Sequence, residues 1–246
     1  MASAAAPRAA AGRPVPGDGA SMRKASQFFS EDDRRAIKQV VAAAEARTAA
    51  EIIPVVATVS GRYDRAEDLF GIMFALVALA AAWLGFQNMG TPGGWAGGYE
   101  PALGLVSILL IVFFGFVAGA ALATRVPVLR LPFITRREMQ AEVERSAAAA
   151  FQQFRVRATA GATGILIYIS LYERMVRVLG DDIIAARLGQ SDWEALRDLV
   201  IQGLREGEPA RGLVRAVEQC GALCAVHFPS QPGDVNALAN ALRFID

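Results

Sequence analysis

The alternation of apolar and polar positions changes character twice along the chain. Ser30-Glu31-Asp32-Asp33 supplies a capping hydroxyl and acids for the positive end of a helix dipole. Ile37, Val40, Val41 and Ala44 then recur at helical spacing, predicting a helix that ends near residues 47–48. EIIPVVATV, residues 51–59, is a compact β-branched run and reads as a strand buried on both faces. Pro54 has no N–H for a central ladder, which places this strand at an edge or at a bulge. The pattern then stops: residues 69–86 and 103–124 carry no charge at all, separated by a Gly-rich stretch, 87–102. Beyond them the amphipathic pattern resumes.

Residues 125–133, with prolines at 127 and 132, are expected near a membrane surface. Thr135-Arg-Arg-Glu138 is a capping box. Met139, Val143, Ala147, Phe151 and Phe154 mark one face of the helix it opens, to about residue 157. Its four alanines, 147–150, favour helix. GILIYIS, 164–170, is the next strand; Tyr172-Glu173-Arg174 makes a tight connection; MVRVL, 175–179, returns half-buried, a hairpin without an Asn-Gly turn. Ser191-Asp-Trp-Glu194 opens a helix to about residue 206. Pro209 sits in the first turn of another, which runs to about 226 and is stopped by Pro229. Residues 234–244 are expected to form a last short helix.

The two uncharged runs are of membrane-spanning length: a hydrocarbon core about 30 Å thick needs roughly 20 apolar residues of helix. Trp83 and Phe86 suit an interface. The intervening loop holds Glu100 and no Lys or Arg, whereas Arg62 and Arg65 precede the first run and Arg125, Arg130, Arg136 and Arg137 follow the second. Basic flanks stay on the cytoplasmic side. The expectation is a multi-pass protein of the inner (plasma) membrane, its soluble domain and termini cytoplasmic, with Cys220 and Cys224 as reduced thiols. Trp95 and Tyr99 in the loop read as interfacial aromatics on a connector rather than as a binding loop. Neither soluble half can bury its strands alone. The expected fold class is therefore one α/β, αβα-layered, mixed-sheet domain interrupted by a two-helix transmembrane hairpin. Its parts are a disordered tail at 1–26, a first part at 27–68, the hairpin at 69–124 and a second part at 125–246.

Composition supports a chain partly in lipid: 54% of the 246 residues are hydrophobic and mean hydropathy is +0.33. A net charge of +1 argues against a general nucleic-acid binder, which carries a marked basic excess. The Ala/Pro/Gly/Arg-rich N-terminus lacks the apolar core of a secretory signal, and Met22 reads as an alternative start.

Three stretches carry a family resemblance. FFSEDDRRAIKQVVAAAEARTAAEIIPVVATVS, 28–60, is similar to the start of TPM domains. TGILIYISLYERMVRVLGDD, 163–182, resembles their central strand pair with its Gly-Asp region. GLVRAVEQCGALCAVHFP, 212–229, with the PGDVN that follows, resembles the ending of a bacterial membrane-bound branch. The resemblance covers residues 28–60 and 136–244, in patterns of apolar strands and turns rather than a catalytic signature. It implies an αβα sandwich with a mixed sheet. Family members include plant thylakoid proteins tied to photosystem repair, with reported acid phosphatase activity, and an animal accessory protein of a membrane receptor. Some bacterial members are linked to calcium. This chain departs from the pattern by the inserted hairpin and by lacking a dense acidic cluster.

Candidate chemistry is sparse, and no catalytic or cofactor-binding residue is assigned. Asp181 and Asp182 stand at a strand end and are the candidate ligands for a divalent cation, calcium. Calcium takes 6–8 oxygens, however, and no spaced Asp/Asn series surrounds them, so capping of a short helix at 183–188 is the preferred role. His227, the single histidine, falls near a helix end where the dipole favours a cation. With Cys220 and Cys224 it makes a partial metal set that lacks a second ligand pair, so buried thiols are expected. Gly161 and Gly164 are not followed by the Lys-Ser/Thr of a phosphate loop. Glu173 and Arg174 read as solvated turn residues. The expected function is a non-enzymatic binding or accessory module for another membrane protein, held at the bilayer, with Arg125, Arg130, Arg136 and Arg137 on anionic lipid. The rival is a metal-dependent acid phosphatase using Asp181 and Asp182. A transporter subunit fits poorly, since the spans hold no ionisable residue.

Overall fold

The computed structural model describes residues 24–86, 103–154, 163–230 and 240–246, which divide into two compact units. The first combines residues up to Gly61 with those from Met139 onward; the second runs from Arg62 to Glu138. Expectations for residues 1–23, for the loop with Trp95 and Tyr99, for Gly161 and for most of the 234–244 helix lie outside the described residues.

The chain opens with α1 (Ala25–Phe28), α2 (Glu31–Glu45) and β1 (Glu51–Ala57). Ala25, expected in a disordered tail, is helical and buried. After the second unit come α5 (Arg136–Gln153), β2 (Gly164–Ser170), β3 (Met175–Gly180), α6 (Asp182–Ala185), α7 (Gln190–Arg205), α8 (Pro209–His227) and β4 (Arg243–Ile245). The sheet is mixed, in the order β3-β2-β1-β4: β1 runs parallel to β2 and to β4, and β2 antiparallel to β3. Every residue of β1 and β2 is buried because both sheet faces are covered. On one face Ile52, Val56, Ile165, Ile167 and Ile169 meet Ile37 and Val41 of α2, Leu196 and Val200 of α7, and Leu213, Val217 and Cys220 of α8. On the other, Ile53, Val55, Leu166 and Tyr168 meet Val143, Ala147, Ala150 and Phe151 of α5.

Three local expectations change. Pro54 lies in a central strand, not at an edge. The amide of Glu51 bonds to β2 through Thr163 O, while those of Ile52 and Thr58 point away from it, to Glu45 Oε1 and Ile245 O. By strand alternation Pro54 also faces away from β2, and β4 pairs only with Val55–Ala57. The missing donor therefore falls where no strand asks for it. Second, the chain returns after α8 as the strand β4, so part of the expected last helix is β structure. Third, α7 begins at Gln190 rather than after Ser191: the Asp192 carboxylate accepts the Gly189 N–H at 2.9 Å, so Gly189 is the cap. The Ser30 and Thr135 caps stand where expected, donated to by Asp33 N and Glu138 N, each at 3.2 Å.

The second unit contains α3 (Asp64–Phe86), α4 (Leu105–Arg125) and a 3-10 segment, Pro127–Phe133. Both helices are long and apolar enough to cross a membrane, with mean hydropathy 2.3 and 2.7. They pack through small residues, Gly71 and Ala75 on α3 against Gly115 and Gly119 on α4. Gly115-Phe-Val-Ala-Gly119 is a G-x-x-x-G motif, which allows backbones to approach closely. A Cβ on Gly119 would lie 2.6 Å from Phe74 Cβ and 3.0 Å from Gly71 Cα. Glu67 ties the base of the pair: it accepts from Thr124 Oγ1 at 2.9 Å and pairs with Arg130 at 2.6 Å. Phe70 meets Phe133 edge to face, centroids 6.2 Å apart.

Candidate functional site

In parallel α/β sheets ligands gather at the carboxyl ends of the strands. Here the carboxyl ends of β1 and β2, at Ala57 and Ser170, are followed by a concentration of hydroxyls and carboxylates. Ala25 N donates to Thr58 Oγ1 at 2.7 Å, and that hydroxyl donates to Asp246 Oδ1 at 3.0 Å. Ser26 Oγ donates to Asp246 Oδ2 at 2.6 Å, and its bonds hold the Asp246 carboxyl below the usual range.

The centre of the site is Glu173. Read from sequence as a solvated turn residue, it is only 6% exposed. Its Oε1 accepts the amides of Ser60 at 2.9 Å and Gly61 at 3.3 Å, and Ser170 Oγ donates to its Oε2. A carboxylate only accepts, so it sets the direction of every hydroxyl behind it. Ser170 uses its proton on Glu173; Ser60 therefore donates to Ser170 (2.7 Å), Tyr168 to Ser60 (3.0 Å) and Ser146 to Tyr168 (2.8 Å). The result is a one-way chain, Ser146 to Tyr168 to Ser60 to Ser170 to Glu173, joining α5, β2, the segment after β1 and the β2–β3 turn. Tyr168 is fully buried, and this pushes its phenol above the ordinary value, with the two serine bonds partly opposing. Arg174, next in the turn, is exposed and adopts φ 54°, the left-handed region.

Asp181 and Asp182 lie at the opposite end of β3 from Glu173. Asp181 is buried and caps α6, its Oδ1 accepting Asp182 N at 2.8 Å, while Asp182 is exposed. The two carboxylates thus occupy different surroundings. Among the described residues no three His, Cys, Asp or Glu side chains come together in a way that could hold a metal ion. Cys220 and Cys224 form no disulfide and are buried in the α8 core; the hydrogen bond with Cys224, and then burial, push the Cys220 thiol well up. His227 is exposed at the last turn of α8.

Sequence reasoning missed the Glu173 chain because its members come from four separate segments. The one available signal was compositional: a Ser-Leu-Tyr-Glu run follows an otherwise apolar strand, and Ser60 follows another.

Residues 130–223 match the family model of the TPM domain. A search of curated proteins finds no match. Among solved structures, the NMR structure of BA42 protein from the psychrophilic bacterium Bizionia argentinensis sp. nov. superposes with a TM-score of 0.53. Identity is 16%, over 89% of this chain and 97% of that one, so what the two share is the fold. The family match, running from Arg130 into α8, assigns a TPM domain to that stretch of the chain, which supplies β2 and β3 of the mixed sheet.

Proposed function

We propose that the protein is a membrane-anchored TPM protein. Its sheet-and-helix unit acts on the cytoplasmic side of a bacterial-type inner membrane as a non-enzymatic binding module for another membrane protein. The observation that carries the reading is the outer surface of α3 and α4. Leu84, Leu105 and Val106 are 76%, 72% and 70% exposed, and Leu76, Val77, Leu109, Phe113 and Phe114 are exposed beside them. A water-soluble protein rarely exposes so large a continuous apolar surface, whereas lipid accepts it. The arginines at one end of the hairpin support the orientation. A binding role is supported by the structural use of the polar groups described: Asp181 caps a helix, Glu173 holds two backbone amides and the thiols are buried.

The test uses the full chain expressed in a bacterial host. It should stay in the membrane pellet through alkaline carbonate extraction, and Asn88→Cys should react with an impermeant maleimide from outside the cytoplasm. Release by carbonate would end the membrane reading. The resemblance-based rival, a metal-dependent acid phosphatase, is tested with the purified protein and Ca²⁺ or Mg²⁺. Phosphoester hydrolysis that disappears in Asp181→Asn/Asp182→Asn would replace the binding reading with the rival.

A further inference from the structure

The 3-10 segment Pro127–Phe133 separates its side chains by chemistry. Phe133 turns inward to Phe70. Arg130, the one charge within the segment, turns inward as well: its side chain is 14% exposed and paired with Glu67. Val128 and Leu131, by contrast, are 56% and 37% exposed, and Pro132 is exposed beside them. The segment follows directly on α4, so its outward apolar surface continues that of a helix read as a membrane span.

Cations flank this surface. Arg125, Arg136 and Arg137 are exposed, and among the described residues none of the three forms an ion pair. The other arginines of the unit are engaged, Arg62 with Asp64 at 3.6 Å and Arg65 with Glu138 at 3.2 Å. Six arginines face four carboxylates (Asp64, Glu67, Asp68, Glu138) in the unit's described residues, so a positive surplus remains, and it lies on either side of the apolar turn. An apolar turn rimmed by uncompensated cations suits a surface with acyl chains below and negative headgroups around it.

We infer that residues 125–137 form an interfacial strap that seats Val128 and Leu131 at the acyl-chain boundary and selects anionic phospholipid through Arg125, Arg136 and Arg137. Arg130 is a structural tie and takes no part in selection. This rests on the membrane reading above and narrows it: the anchor prefers a lipid class, and the preference comes from three named arginines.

The experiment reconstitutes the full chain in bilayers of mixed phosphatidylcholine and phosphatidylglycerol, with an environment-sensitive fluorophore on Val128→Cys; the native thiols are buried. Quenching by spin-labelled phosphatidylglycerol is compared with that by spin-labelled phosphatidylcholine. The expected result is quenching by both, stronger for phosphatidylglycerol, with a ratio of association constants of about tenfold or more, the order set by three cations at an anionic surface. Arg125→Gln/Arg136→Gln/Arg137→Gln should bring the ratio to one without abolishing quenching, and the corresponding triple Lys variant should keep the preference. Arg130→Gln should leave the ratio unchanged. Equal quenching by both lipids in the parent chain overturns headgroup selection. No quenching at position 128, with a probe on Leu84→Cys still quenched, overturns the strap alone. Loss of quenching at both positions would instead bring down the membrane reading.

Discussion

Glu173 illustrates how a single side chain acquires its role from groups distant in sequence. In the turn Leu171–Arg174 nothing distinguishes it from a solvated carboxylate, but the parallel pairing of β1 with β2 brings the Ser60 and Gly61 amides to it. Bonds to a charged acceptor are worth about 1.5–3 kcal/mol each, and a buried donor left without its acceptor costs about 1–3 kcal/mol. Glu173→Gln should destabilise the protein by about 1–3 kcal/mol, because an amide cannot accept at both ends and must turn a donor toward Ser170. Tryptic cleavage after the exposed Arg62 should accelerate in the variant; unchanged cleavage and unchanged thermal unfolding would deny the clamp. Tyr168 gives the site a pH signature. Its pKa is raised by burial in the fold, so the stabilisation is fully present below about pH 10, the unfolded value, and is lost as pH rises through the higher folded value. Phenolate absorbance should show a late-titrating component that is absent in Tyr168→Phe.

Elements were legible where their signals were local. Ser30, Thr135 and Pro209 mark helix starts because a cap acts within one turn, and the β-branched runs mark β1 and β2. Gly189 displaced Ser191 as a cap because Asp192 reaches back to its amide, a choice between two local patterns of similar strength. Pro54 was misread because its cost depends on how far β4 extends, and β4 is only three residues long. The pairing of α3 with α4 depends on backbone approach at Gly115 and Gly119. Gly119→Leu should force the helices apart and lower stability by about 1–3 kcal/mol, as overpacking does. Val117→Leu, on the exposed side, should leave thermal unfolding in detergent unchanged. Equal effects of the two substitutions would refute the close packing.

For the whole molecule, the uncharged runs and the basic flanks were plain in the primary structure. Both depend on composition over a window of about 20 residues, the length a bilayer demands. The mixed α/β class was equally accessible, since periodicity near 2 or 3.6 reports which element a stretch forms. Other properties emerged only when distant segments met: the order β3-β2-β1-β4, the fourth strand at the C-terminus, the hydroxyl chain ending on Glu173, and the withdrawal of Arg130 from the surface it was expected to face. Sequence carries the identity of each group and its near neighbours along the chain. Whether a carboxylate is solvated or buried, and whether an arginine meets lipid or Glu67, depends on partners tens of residues away, and only the tertiary structure supplies those.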